Sequence, residues 1–227
     1  MMHRVTRTKV PKSLQDHAKE WTDELEYQLA LHGCKYEAVP KVFKNRYRKE
    51  DVKQSLRDMY GGLCCFCEGV VYTVSYDTIE HYRPKARFPL LSFKWENLNY
   101  ACTICNSRFK GSQWIDEPDH ILDPSTDDIS QFLSFNLNTG EYDAIDNNLR
   151  AKNTIALTGL NRDELVEIRK KMIVQHSRLI KKLAQANVQS ALYYIQGVAE
   201  DNFSPYPTLR LALLQAVLFN SGDGGTA

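Results

Sequence analysis

The 227-residue sequence lacks any apolar run of about 18 residues, the length a helix needs to cross a bilayer, so no transmembrane helix is expected. Its first ten residues, MMHRVTRTKV, are basic but lead into no apolar stretch, so no secretory leader is expected and the protein reads as cytoplasmic. It also lacks a surplus of either charge: 29 Lys and Arg face 28 Asp and Glu, a net of +1, which neither requires nor excludes a nucleic-acid partner. No internal repeat or low-complexity tract is present. What is present is ordinary globular material, 43% hydrophobic and 25% charged, which excludes disorder for most of the chain. A chain of this length buries enough surface to hold one or two domains together without disulfides.

Charge is balanced overall but segmental along the chain. Residues 41–50 carry five cations against Glu50, and residues 81–110 carry six against Glu96. Acids such as Asp116, Glu117, Asp119, Asp123, Asp127 and Asp128 gather elsewhere. A basic face can therefore exist on a nearly neutral molecule.

Four of the six cysteines form two C-x2-C pairs, Cys64/Cys67 and Cys102/Cys105. Each pair places two thiolates on one side of a tight knuckle, and two knuckles supply the four sulfurs of a closed tetrahedral zinc site. One such pair at a strand–helix junction would read as a redox motif; two favour a metal. The 34 residues between the pairs exceed a minimal zinc ribbon, so a structured insertion is expected there. Cys65 lies beside a proposed ligand, and Cys34 reads as a spectator.

Leu14, Ala18, Trp21, Leu25 and Leu29 recur at helical spacing and predict a helix over 13–32 that stops at Gly33; a second is predicted near 50–60, ended by Gly61 and Gly62. Val70–Ser75, Thr78–His81 and Phe88–Phe93 read as strands, and a short helix is predicted from about Asn106. Residues 132–145 read as a hairpin turning at Asn138-Thr139-Gly140. From Asn148 the chain reads as helical, with Asn161 and Glu164 as a capping pair, an apolar stripe to about residue 199 and a last helix over 207–219. The tail SGDGGTA reads as frayed.

Between the knuckles lie Glu80, His81 and Asn97, followed by Asn106 and Lys110 at and beyond the second knuckle. Phosphodiester hydrolysis needs a base for water and a cation for the phosphate charge. His81 has the right chemistry for the base. Glu80 and Asn106 offer oxygens to a hard cation such as Mg2+ or Mn2+. Both Glu80 and His81 can face one phosphate only where their strand ends or bends, which Pro84 favours. Asn97 can bond backbone groups and so orient His81. Arg83, Lys85, Arg108 and Lys110 are the cations expected to meet nucleic acid.

The pattern C-x2-C … [DE]-H … N … C-x2-C-N-x3-K, met by Cys64, Cys67, Glu80, His81, Asn97, Cys102, Cys105, Asn106 and Lys110, resembles HNH endonucleases of the ββα-metal fold. CCFCEGVV, IEHYRPK, WENLNYACTICNSRFKG, ILDPSTDD and NTIALTGLNRDELVEIRKK further resemble the PtuB-type HNH subunit of Septu anti-phage systems and retron–Septu hybrids, over roughly residues 60–172. The resemblance implies His81 as general base, Glu80 and Asn106 as divalent-metal ligands, Asn97 as a loop-positioning residue or further ligand, and the four cysteines as structural zinc ligands. It also implies an SMC-like ATPase partner of PtuA type.

The expected fold is α+β and mostly helical: an N-terminal helical segment (1–60), an HNH ββα-metal core with its zinc knuckle pair (61–115), a hairpin and linker (116–147) and a C-terminal helical region for partner docking (148–227). The expected function is metal-dependent cleavage of DNA. Two alternatives stand beside it. One is a nuclease acting on RNA such as transfer RNA, using the aromatic-basic stretch Phe43–Arg48 to stack unpaired bases. The other is a zinc-stabilised adaptor without turnover.

Overall fold

The computed structural model describes residues 5–71, 77–200 and 204–222. The protein is α+β and mostly helical, with two small antiparallel sheets among the described residues. Helix α1 (Lys12–Leu31) buries Leu14, Trp21, Leu25 and Leu29, the stripe its sequence spacing predicts. It ends where Gly33 and Cys34 both take positive φ and the Cys34 N–H returns to the Leu29 carbonyl. A short α2 (Lys41–Lys44) and then α3 (Glu50–Met59) follow. Asp51, in the first turn of α3, ties the two N-terminal helices together by accepting hydrogen bonds from Ser13 N (2.8 Å) and Ser13 Oγ (2.7 Å).

Gly61 and Gly62 turn the chain out of α3 at positive φ and deliver Cys64. Within the first knuckle Cys64 N–H bonds the Gly69 carbonyl, while Cys65 N–H bonds the Tyr100 carbonyl. The knuckle is thus sewn to the strand that leads into the second one. Strand β1 (Asp77–His81) pairs antiparallel with β2 (Leu98–Cys102), Glu80 opposite Asn99 and His81 opposite Leu98. Helix α4 (Ile104–Lys110) follows at once, wound as a π-helix and closed by the Gly111 N–H on the Asn106 carbonyl at 2.6 Å.

Strands β3 (Leu133–Asn136) and β4 (Glu141–Ala144) form the expected hairpin around Gly140. Helix α5 (Leu149–Thr158) is capped by the Asn148 side chain on Ala151 N–H and packs against β4 and α4. Helices α6 (Asp163–Ala186), α7 (Val188–Glu200) and α8 (Pro207–Gly222) pack against one another. A contiguous set of buried apolar side chains runs from Leu14 and Trp21 through Phe66 and Tyr100 to Leu165 and Leu213.

Three local readings are corrected. Phe88–Phe93 is not a strand: Pro89, with fixed φ and no N–H, starts a 3-10 turn over Pro89–Leu91. Asn161 does not cap α6. Arg162 occupies the cap position, and the Asn161 amide instead pairs with both Tyr142 N–H (2.8 Å) and Tyr142 carbonyl (2.9 Å), prolonging the β4 edge. The C-terminal stripe is not one helix, because Asn187 takes an extended conformation and its side chain accepts the Gln189 N–H, starting α7 anew. The strand read over Val70–Ser75 lies mostly outside the described residues, Val70 itself making a single bridge to Leu63. So does the end of the tail. Among the described residues no helix is long and apolar enough to cross a membrane.

Candidate functional site

The two knuckles meet. The sulfurs of Cys64, Cys67, Cys102 and Cys105 are buried and lie within 4.8 Å of one another. Cys67 Sγ and Cys102 Sγ are 3.9 Å apart, close to the ~3.8 Å edge of a tetrahedron with about 2.3 Å zinc–sulfur bonds. Burial pushes the Cys64 thiol up, whereas hydrogen bonds from Cys102 and Cys105 hold Cys67 down. Four such thiols cannot shed their protons together in an apolar pocket without a cation among them. The donor set, its spacing and its burial therefore fit zinc. Outer contacts support it, among them Cys105 N–H pointing at Cys102 Sγ (3.4 Å) and Arg162 Nη1 at Cys105 Sγ (3.5 Å). Cys65 is buried but stands outside the four, and Cys34 is exposed.

The second constellation sits where β1 stops. His81 is the last residue of the strand, and the chain bends at Tyr82 and Arg83, before Pro84. Glu80 and His81, which would point to opposite faces of a continuing strand, therefore both line one cavity of about 530 Å³, together with Asn106 from α4. The β1–β2 pairing and the π-turn after the second knuckle bring them there.

His81 is nearly buried, at 6% exposure, and its Nε2 lies 3.0 Å from the Ser92 carbonyl. A carbonyl only accepts, so Nε2 carries the proton and the neutral ring keeps its lone pair on Nδ1. Burial first, and then the Lys85 charge, push the imidazole down to about 3, so the ring is neutral at physiological pH. Asn97 holds the loop that supplies this carbonyl. Its Oδ1 accepts Arg83 N–H (2.8 Å), and its Nδ2 donates to the Arg83 and Leu91 carbonyls (each 3.1 Å). Asn97 thus closes the Arg83–Leu91 loop, and Ser92 follows directly.

Glu80 forms a buried ion pair with Lys110 at 2.5 Å, both side chains at most 2% exposed. Burial raises the Glu80 carboxyl, and Lys110 pulls against that rise. Lys110 also donates to the His81 carbonyl (2.8 Å). Asn106 spends its amide nitrogen on Thr78 Oγ1 (2.8 Å), which leaves the amide oxygen to offer. One shared carboxylate and one amide oxygen make a hard, weakly charged donor set. Both are oxygen donors of the kind a hard divalent cation takes.

The expected nucleic-acid cations separate. Lys110 departs from the expectation: it is fully buried, and its ammonium is committed to Glu80 and the His81 carbonyl instead of facing flanking phosphates. Arg83 pairs with Glu117 (2.7 Å) and sits against the Phe88 and Trp114 rings, away from the His81 cavity. Arg108 is exposed, 4.0 Å from Glu164. Lys85 lines the cavity, as do Arg48 and Lys53 from the N-terminal segment.

Sequence reasoning missed the Ser92 carbonyl, Arg162 and the role of Tyr47. A backbone acceptor leaves no sequence signal, and Arg162 is far from the knuckles in sequence. Tyr47 lay inside the aromatic-basic stretch read as a base-stacking segment. In the fold most of that stretch is engaged within the protein: Lys44 on the Tyr36 and Glu37 carbonyls, Arg46 on Glu24, Tyr47 against His81.

No protein-family model matches the chain. Among curated proteins it is similar to the Septu protein PtuB of Bacillus mycoides (strain KBAB4), with 29% identity over 154 residues, 56% of this chain and 52% of that protein. The chain spans about half the length of this curated relative, and over that span it resembles PtuB.

Proposed function

We propose that this protein is a metal-dependent HNH-type endonuclease of the ββα-metal fold. It hydrolyses DNA as the effector subunit of an anti-phage complex that includes an SMC-like ATPase. The resemblance to PtuB supports the defence role and the partner. One observation carries the chemistry: a neutral imidazole with its Nε2 anchored on a backbone carbonyl shares a cavity with a carboxylate and an amide. The unit β1–β2–α4, braced by the four-cysteine cluster, supports the fold reading.

In this reading His81 Nδ1 takes the proton of a water as that water's oxygen bonds to phosphorus. The bond from phosphorus to the 3′ oxygen breaks and that oxygen takes a proton from solvent, leaving a 5′-phosphate and a 3′-hydroxyl, while the imidazolium returns its proton to solvent. An entering phosphodiester anion raises the imidazole from its depressed state and makes it the stronger base the step requires. Asn97 and Ser92 keep the ring aimed, and the Lys110 ammonium keeps the Glu80 carboxylate in place. A divalent cation on Glu80 and Asn106 would neutralise charge on the phosphate and the leaving oxygen.

The test is cleavage by the purified chain, alone and with its ATPase, with MgCl2 or MnCl2, on plasmid, linear duplex and total transfer RNA. Loss of DNA cleavage in His81→Ala with normal zinc content supports the proposal. Equal cleavage by wild type and H81A ends it. Cleavage of transfer RNA alone replaces DNA by RNA as substrate, and defence that survives H81A makes the chain an adaptor.

A further inference from the structure

Tyr47 lies between α2 and α3, outside the β1–β2–α4 unit, yet it lines the same cavity as Glu80, His81 and Asn106. It is 2% exposed, and its ring meets the His81 ring edge-to-face, centroids 4.6 Å apart at 85°. Its hydroxyl accepts a hydrogen bond from Lys85 Nζ at 2.5 Å, and Arg48 Nε approaches the same oxygen at 3.4 Å. The segment is well held from the N-terminal side by the Arg46–Glu24 ion pair and by Lys44 on the Tyr36 and Glu37 carbonyls.

Two physical consequences follow. Among the described residues the His81 ring makes one hydrogen bond, at Nε2, and a ring pinned at a single atom can still swing. An aromatic wall at right angles removes that freedom. Lys85, for its part, bonds a neutral hydroxyl and not a carboxylate, so its charge stays uncompensated by that contact and available to an anion in the cavity. Arg48 adds a second cation against the same ring, 5.8 Å from its centroid.

We infer that Tyr47 is a positioning residue of this centre: its ring holds the His81 imidazole, and its hydroxyl aims the Lys85 ammonium at the phosphate of an entering nucleic-acid strand. The inference rests on the nuclease reading for its second half only, since the packing of the two rings is independent of turnover. It also assigns the N-terminal helical segment to the site, because the β1–β2–α4 unit by itself contains no Tyr47.

The experiment compares Tyr47→Phe and Tyr47→Leu in the full chain, with the ATPase present if cleavage requires it. Long-range proton–nitrogen spectra of protein labelled with 15N-histidine report the His81 tautomer, its signal assigned by its loss in His81→Asn. Y47F keeps the ring and should keep the Nε2-protonated signature. Y47L should broaden it or mix the tautomers.

In plasmid cleavage, Y47F should raise KM by about threefold to tenfold, as expected for one lost charge-assisted contact. Y47L should lower kcat by at least about tenfold through misalignment. A Y47L protein with the wild-type His81 signature and wild-type kcat overturns the inference, and so does an unchanged KM in Y47F. Should Y47L fail to fold, judged by zinc content and melting, Y47M replaces it with the same expected outcomes. If wild type cleaves no nucleic acid, the nuclease reading fails and the second half of the inference with it, while the spectra still decide whether Tyr47 holds the imidazole.

Discussion

Replacing Lys110 by Met should expose how much of this fold rests on one buried ion pair. Lys110 and Glu80 lie 2.5 Å apart with side chains 0% and 2% exposed, so neither charge is helped by water. Removing one partner of such a pair leaves the other uncompensated and costs about 3–5 kcal/mol, part of which here is the loss of the donor to the buried His81 carbonyl. That is a large share of the roughly 5–15 kcal/mol by which a domain is stable. For a chain of this size it corresponds to a fall in Tm of about 6–20 °C. Glu80→Gln should destabilise by a comparable amount, since it strands the ammonium instead. The K110M/E80Q double variant removes both charges and should melt above either single variant. The assay is thermal melting of the four proteins at one pH with zinc content checked in each. A K110M protein melting within a degree of wild type, or strictly additive single effects, would show that the two charges are not coupled and that the reasoning is wrong.

Arg162→Met removes the guanidinium 3.5 Å from Cys105 Sγ and should weaken zinc affinity by about tenfold to a hundredfold in competition with a chromogenic chelator, and an unchanged affinity would refute its outer-contact role. Cys102→Ser should go further, failing to bind one zinc per chain and losing cooperative melting, because binding energy there is folding energy. Gly159 has φ +62°, and a Cβ added to it would lie 2.6 Å from the Phe109 ring of α4, so Gly159→Ala should cost about 1–3 kcal/mol and lower Tm by roughly 2–12 °C. Partial burial pushes the Asp51 carboxyl up, but its hydrogen bonds from Ser13 outweigh this and hold it below the usual carboxylate value of 3.8. A depressed folded-state value stabilises at pH above the unfolded value and is lost as pH falls through the folded one. The stability advantage of wild type over Asp51→Ala should therefore be full at pH 7 and shrink below about pH 4, and a pH-independent difference in urea midpoints would contradict it.

The resemblance to PtuB was legible in the sequence, because runs such as IEHYRPK and WENLNYACTICNSRFKG keep chemistry and spacing in one short stretch. The four-cysteine cluster was legible for the same reason: a C-x2-C pair fixes the local geometry of two sulfurs, and only their meeting remained for the fold to decide. Helices α1 and α3 and the β3–β4 hairpin were legible from period and turn residues, which act over a few positions. Legibility failed where a residue had two local uses. Asn161 could cap a helix or pair a strand edge, and contact with Tyr142 chose the second. Lys110 could meet a phosphate or neutralise Glu80, and burial chose the second. No local rule could show that Ser92 would offer its carbonyl to His81, that Arg162 would reach a cysteine thiol, or that Tyr47 would stand against the imidazole. These contacts join residues 11 to 57 positions apart in sequence, so only the tertiary fold brings them together.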